Sequence, residues 1–356
     1  MLLTFNEVRN INYILSITFL VTEMKISVII TAHERRQYIL KALISLNRQE
    51  ISKDKYEVIV VKDFEDKDID SAVESFGYKT ILMQSENTLG EFIYSGLVNS
   101  NGEIVCFLDD DDVFSVEKLS VIYEKFSKDN ISLIKNNIFF IDENENIIKR
   151  GMLNIASQIG MRLPIKNNAV ITPSHFKRYV GYFSDHGVDF NMSSISVCRT
   201  IITEEDLTYL KERVDISPDT FFFLLALRSN KNILVLKNRL TGFRIHKSSI
   251  SRKIGKNIES ARSRIDIMER LVHRYTGFIQ YFGDDYSQHI QARIYKQRIG
   301  ILREIKKYGF KDVERKISLP EGLKFALKNK VIILILMILY ISLPIIREKN
   351  RTLNLF

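Results

Sequence analysis

Cysteine occurs only twice in this chain of 356 residues, at Cys106 and Cys198, and tryptophan not at all. The two thiols lie far apart and outside any Cys-x-x-Cys or Cys/His ligand spacing. A disulfide framework and a zinc centre built on them are therefore excluded, and a reducing compartment is the expectation. The missing tryptophan, beside abundant Lys, Ile and Asn, is a compositional bias without mechanistic content. Internal repeats and low-complexity linkers are lacking too, so neither a solenoid nor a string of tethered modules is expected. The two most apolar uncharged stretches hold 12 residues (11–22) and 16 residues (331–346), short of the roughly 20 that a spanning helix needs.

What is present is a core-forming chain. An apolar content of 45% rules out wholesale disorder, and the length fits one large domain with an appendage. The formal charge of +9 is unevenly placed, because residues 241–330 hold 21 Lys and Arg against 9 Asp and Glu. Such a segment can meet nucleic acid, anionic lipid headgroups or phosphorylated substrates. No nucleic-acid-binding motif accompanies it, so no nucleic-acid partner is expected.

The ends of the chain are read separately. Before the 11–22 run only Arg9 is basic, Glu7 and Glu23 flank it, and no small-x-small cleavage site follows, which is a poor signal peptide. Met24 begins MKISVIITA, a complete first strand, so residues 1–23 are expected to be a dispensable extension. The 331–346 run is bracketed by Lys328, Lys330, Arg347, Lys349 and Arg351. As a helix it measures about 24 Å against a hydrocarbon core of about 30 Å. A buried core helix is the plain alternative. The expectation is a membrane-associating tail over 326–356, helped by a basic helical region at 253–325 lying on an anionic lipid surface.

Between these ends the pattern alternates. Ile26–Thr31, Tyr56–Val61, Lys79–Met83 and Gly102–Leu108 read as strands, the first, second and fourth as buried apolar runs. A helical stripe (Ile39, Leu40, Leu43, Ile44, Leu46) fills Arg35–Arg48, and a short helix falls between the second and third strands. A helix after Ser115, a strand at Ile131–Ile141, a loop-rich middle, a helix from Ser217 and strands near Ile233–Leu236 and Leu240–Ile245 follow. Ile258–Tyr275 and Tyr286–Tyr308 read as basic amphipathic helices, with Ile290, Ile294, Ile301 and Ile305 on one face. The class predicted is α/β with a mostly parallel sheet, whose ligands bind at the carboxyl ends of the strands.

At one such end stands Phe107-Leu108-Asp109-Asp110-Asp111-Asp112. Carboxylates about 4 Å apart repel by roughly 1 kcal/mol in water and about 4 kcal/mol at an effective dielectric of 20, so a cation is expected among them. Hard ions such as Mg²⁺ or Mn²⁺ take one or two carboxylates plus phosphate oxygens, which suits a metal holding a nucleotide diphosphate. The competing reading is a solvated acidic turn favouring the next helix N-terminus.

With these residues in view, the stretch Met24–Arg252 resembles the inverting glycosyltransferases of family 2, which have the GT-A fold. ISVIITAHERRQYILKALISL is similar to their opening strand and helix, EVIVVKDFED to their second strand, and NTLGEFIYSGLVNSNGEIVCFLDDDD to the block ending in the metal motif. SPDTFFFLLAL resembles the helix carrying the catalytic acid residue, and TGFRIHKSSIS the arginine-x-histidine segment. The resemblance implies a nucleotide-cradling first loop at Thr31 and His33, a base-binding carboxylate at Asp63, and ribose and metal contacts from Asp109 and Asp111, with Asp112 adjoining. It implies a general base at Asp219 and diphosphate or metal contacts from Arg244 and His246. Each has a plain alternative: Asp63 as a turn residue, His33 as a loop cap, Asp219 in a helix first turn after Ser217 and Pro218, and Arg244 with His246 on a polar strand face.

Two positions depart from the family pattern: Ile93 and Tyr94 replace an Arg-Asn pair, and Pro218 replaces a glutamate. The expected activity is metal-assisted transfer, with inversion, from a nucleotide-diphosphate sugar donor to a glycan or polyprenyl-linked acceptor. The enzyme would be membrane-associated, with its catalytic domain (24–252) on the cytoplasmic face. A non-catalytic membrane adaptor is the rival. A sugar-nucleotide nucleotidyltransferase is disfavoured, since Thr31-Ala32-His33-Glu34-Arg35 contains no glycine to cradle phosphate.

Overall fold

The computed structural model describes residues 24–128, 130–148, 167–176, 187–246 and 257–310. The expectations for 1–23 and for the tail at 326–356 lie outside these residues. In chain order the elements are β1 (Ile26–Ala32), α1 (Ile39–Asn47), β2 (Tyr56–Lys62), α2 (Lys67–Ser75), β3 (Lys79–Leu82), α3 (Leu89–Val98), β4 (Ile104–Asp109), β5 (Val113–Phe114), α4 (Lys118–Phe126) and β6 (Ile131–Ile141). Then come β7 (Ala169–Ile171), β8 (Ile195–Cys198), α5 (Glu204–Arg213), α6 (Pro218–Arg228), β9 (Asn232–Arg244), α7 (Ile258–Phe282) and α8 (Ser287–Tyr308).

One nine-stranded sheet runs β3-β2-β1-β4-β8-β6-β9-β5, with β7 added on β9. β1 to β4 are mutually parallel, β8 is antiparallel to both β4 and β6, and β6 is parallel to β9. Six strands therefore point the same way, which is the mixed, mostly parallel α/β class that the alternation predicts. Their carboxyl ends share one edge of the sheet.

The alternation of each buried strand decides which helices it meets. Ile26, Val28 and Ile30 of β1, Val58 and Val60 of β2, and Ile104, Cys106 and Leu108 of β4 join α1, α2 and α4 in one core. The intervening Ile29, Ile59, Val61, Val105 and Phe107 join a second core with α3, α5 and α6. Helix α6 is apolar all round and is buried from Thr220 to Leu227, the pattern of a central helix rather than a surface one.

Three features differ from the sequence reading. The two strands near 233 and 240 are one bulged strand, β9, whose register against β6 shifts opposite Asn136 and Asn137, because Lys237-Asn238-Arg239 is an exposed polar interruption that a bulge accommodates. Strand β8, four residues inside the loop-rich middle, was too short to show a period.

The third feature concerns the isoleucine stripe of the C-terminal helices, whose partner the sequence does not show: it is covered by protein. Ile290 and Ile294 of α8, with Tyr275 and Phe278 of α7, belong to the second core, while Ile301 and Ile305 pack with Ala261 and Ile265 across the α7–α8 hairpin. Several basic residues of this segment serve internal acids as well: Arg264 pairs with Glu304, Arg270 and Arg274 with Asp215, and Arg293 with Asp189. Among the described residues no helix is long and apolar enough to cross a membrane.

Candidate active site

The ends of the parallel strands bring the predicted residues to one edge. Thr31, near the end of β1, stands in register with Asp109, the last residue of β4, and with Val61 of β2, two residues before Asp63. After Asp109 the chain turns tightly, with Asp112 N–H donating to the Asp109 carbonyl. That turn gathers Asp109, Asp111 and Asp112, each offering an oxygen within 4.8 Å of the others.

The cation that four adjacent carboxylates require is present within the chain itself. Arg35, in the first loop, donates to Asp111 Oδ2 at 2.7 Å and also pairs with Asp110. His246 Nε2 lies 2.9 Å from the same Asp111 oxygen, its buried ring against Tyr38. Although burial opposes it, the hydrogen bonds from His246 and Arg35 hold the Asp111 carboxyl below the usual carboxylate range. Burial and then the neighbouring carboxylates push Asp109 and Asp110 well above it, and burial with Asp111 pushes Asp112 up to about 7.

Hard oxygen donors at this spacing fit a divalent ion, and Asp110 Oδ2 and Asn191 Oδ1 are buried beside them without a hydrogen-bond partner. Asp109, Asp111 and Asp112 are the residues that would hold it.

The remaining predicted residues divide by what they touch. His33 Nδ1 lies 2.6 Å from Asp63 Oδ2, and the Asp63 Oδ1 accepts the Glu34 N–H at 2.8 Å, so Asp63 staples the first loop to the end of β2. Arg244 is fully buried. Its Nε donates to the Asp111 carbonyl at 2.8 Å, its Nη1 to the Asp142 carbonyl at 3.0 Å, and its Nη2 to Glu145 Oε1 at 3.2 Å, while its guanidinium stacks 4.8 Å from the Tyr38 ring centre. Its backbone N–H donates to Asp112 Oδ1 at 3.0 Å. Arg244 thus clamps the aspartate turn onto β9 and β6.

Asp219 sits in the first turn of α6, partly exposed. Its Oδ1 accepts from Thr220 N–H at 2.8 Å and Ser217 Oγ at 3.2 Å, and its Oδ2 accepts from Asn191 N–H at 2.9 Å. Ser217 occupies the N-cap position with φ of +60°, but its hydroxyl serves Asp219 and Thr220 rather than a backbone N–H. Burial, and then Asp189, raise the Asp219 carboxyl above its ordinary value, against the pull of these hydrogen bonds.

Sequence reasoning missed the residue that joins the two halves. Asn191 donates its side-chain amide to Asp112 Oδ2 at 2.9 Å and its backbone N–H to Asp219, from a φ of +70°. A non-glycine residue there is uncommon and marks a conformation its surroundings impose. No spacing rule points to it. Lys118 and Lys135 were missed as well. They lie buried beneath the site, bonded to Thr241 and to Ser194, and burial lowers both ammonium groups to about 7. Arg35 is missed too, although it stands in the same first loop as Thr31 and His33.

Comparison with known proteins bears on the fold and on the region around the aspartate turn. Over 223 residues the chain is 24% identical to the poly(ribitol-phosphate) β-N-acetylglucosaminyltransferase TarS of Staphylococcus aureus, covering 61% of this chain and 35% of that one. The chain thus spans about a third of the length of this relative. An uncharacterized glycosyltransferase of Nostoc sp. is 29% identical over 130 residues, 35% of this chain and 40% of that one. Among solved structures, S. aureus TarS 1–349 in complex with UDP-GlcNAc superimposes with a TM-score of 0.53 at 16% identity, covering 84% of this chain and 78% of that one, and shows the same fold. Residues 27–177 match the Glycosyl transferase family 2 model. The chain is thus similar to glycosyl transferase family 2 over the region that carries β1 to β7 and the strand-end aspartates, and it has the GT-A fold.

Proposed function

We propose that this chain transfers a sugar from a nucleoside-diphosphate donor to an acceptor hydroxyl with inversion, using Asp219 as general base and Mg²⁺ or Mn²⁺ at Asp109, Asp111 and Asp112. The observation that carries the reading is the Asn191 bridge, which fixes a carboxylate of the aspartate turn and the carboxylate of α6 to one residue. A bound divalent ion would neutralise the departing diphosphate. Thr31 and His33 border the donor, and Asp63 holds their loop in place. Arg35 and His246 orient Asp111, and Arg244 holds the turn through its carbonyl.

Asp219 takes the proton of the attacking hydroxyl as the oxygen bonds to the anomeric carbon and the nucleoside diphosphate departs with the electrons of the broken bond. Its raised proton affinity suits a base that must accept a proton near neutrality. The solved relative bound to UDP-GlcNAc makes that donor the first to test, and the name of the same relative makes a polyol phosphate polymer the first acceptor, beside lipid-linked glycans. The 331–346 run supports membrane attachment, with the catalytic domain on the cytoplasmic face, as part of the same proposal.

The test is release of nucleoside diphosphate from UDP-GlcNAc, UDP-glucose and GDP-mannose, with Mn²⁺ or with chelator, with and without poly(ribitol phosphate). Asp219→Asn should lower turnover by roughly 10²- to 10⁴-fold while the thermal midpoint holds. Metal-independent donor binding with no turnover by the wild type would instead fit the non-catalytic adaptor, and wild-type turnover in Asp111→Asn and Asp219→Asn would overturn the roles given to those residues.

A further inference from the structure

The C-terminal hairpin reaches both chain segments that hold Asp219. Arg293, on α8, places Nη2 at 2.7 Å from Asp189 Oδ1 and 2.6 Å from Asp189 Oδ2. Its Nη1 donates to Thr220 Oγ1 at 3.3 Å and to the Tyr275 hydroxyl at 3.2 Å. Asp189 is two residues before Asn191, whose N–H binds Asp219 Oδ2, and Thr220 supplies the N–H bound to Asp219 Oδ1. One guanidinium therefore ties together the two chain segments that supply the backbone donors of the carboxylate. On the other flank, Arg274 of α7 donates to Asp215 at 3.0 Å, two residues before Ser217.

We propose that Arg293 is a positioning residue for Asp219, holding it through Asp189 and the first turn of α6, so that the C-terminal hairpin forms a wall of the catalytic cleft. The inference rests on the reading of Asp219 as general base. Three observations support it. Asn191 and Ser217, on either side of the carboxylate, both have left-handed φ values, of +70° and +60°. Such backbone persists only where its surroundings over-determine it, and Arg293 ties together the segments that contain both. Asp189 is 2% exposed, and a bare carboxylate there would repel Asp219. Finally, the planar fork of arginine reaches Asp189 through Nη2 and Thr220 and Tyr275 through Nη1 at once, a two-armed span that lysine, a point charge, does not reproduce.

The charged and titratable groups around Asp219 come from four directions: Asp189 from the segment before β8, Arg293 from α8, Lys135 from β6 and Asp109 from β4, with the Tyr275 hydroxyl of α7 behind Arg293. Arg293 lowers the proton affinity of Asp219 and Asp189 raises it. Removing one or the other should therefore move the acid limb of the rate profile in opposite directions, which a merely structural salt bridge would not do.

The experiment measures nucleoside diphosphate release by the full chain, with Mn²⁺ and the donor selected above, from about pH 5 to pH 9. Wild type, Arg293→Ala, Arg293→Lys, Asp189→Asn and Asp219→Asn are compared, and donor affinity is read by calorimetry. Arg293→Ala should lower kcat about 10- to 100-fold at unchanged donor affinity, with the acid limb moved to higher pH. Asp189→Asn should move that limb to lower pH, and Arg293→Lys should recover only part of kcat. Wild-type kcat and an unmoved limb in Arg293→Ala would overturn the proposal. If that variant does not fold, wild-type kcat in Arg293→Lys together with an unmoved limb in Asp189→Asn overturns it. A fully active Asp219→Asn removes the base reading itself; an inactive Asp219→Asn beside an unaffected Arg293 variant removes only this inference.

Discussion

The two sides of the candidate site are assembled in opposite ways. The aspartate side is built almost wholly from residues that follow directly on parallel strands: Thr31 to Arg35 after β1, Asp63 after β2, and Asp109 to Asp112 after β4. The Asp219 side draws on residues 189–193, 217–220, 275 and 293, which meet only because α6, α7 and α8 pack as one apolar mass. A site made at strand ends inherits its geometry from sheet register, whereas one made between helices depends on side-chain packing far from the chemistry. The first should fail residue by residue, and the second should also fail when its packing fails.

That contrast can be broken in several places. The largest effect is expected from Asp111→Asn, which weakens the ion site and leaves Arg35 and His246 facing a neutral amide. Turnover should fall by about 10³-fold or more with little change in the thermal midpoint, measured by donor turnover and melting in parallel. Next, Phe278→Ala removes none of the site's hydrogen bonds but takes away a ring packed against Tyr275 and against Phe221 of α6. A loss of about 3–5 kcal/mol is expected in denaturant unfolding, and with it a fall in turnover that added metal does not restore. If turnover per folded molecule were unchanged, the dependence of the Asp219 side on helix packing would be wrong.

Smaller effects sharpen the comparison. Asn191→Gly keeps a backbone free to adopt positive φ but deletes the amide to Asp112, so about a tenfold loss of turnover with near-normal stability is expected. Asn191→Ala adds strain of about 1–2 kcal/mol to the same loss, visible as a lower melting midpoint. The smallest effect concerns pH. Because folding raises the proton affinity of Asp219, and the base must be ionised to work, turnover should decline on acidification at a pH above the ordinary aspartate range. A limb at or below that range would mean that another group controls the rate.

Legibility in the sequence follows the same division. Strand order could not be read, but β1, β2 and β4 could, since buried parallel strands are near-continuous apolar runs, and the acidic turn stood out because four charges directly after such a run have a solvation cost. Asp219 was found only through the family resemblance; by composition it was a helix first turn. Asn191, Asp189 and Arg293 left no local trace, since each matters through a partner 28 to 104 residues away. The apolar stripe of α8 was legible as a stripe, but what covers it was not: Ile290 and Ile294 show the same periodicity whether they meet lipid or the back of α6.

The family match ends at residue 177, yet Asn191, Asp219, His246 and Arg293 all lie beyond it. A graft of the matched region onto another scaffold would carry the proposed donor cradle and leave behind Asp219, the proposed base. Any attempt to recombine this chain with a relative should therefore place its junction no earlier than the end of α8, at Tyr308.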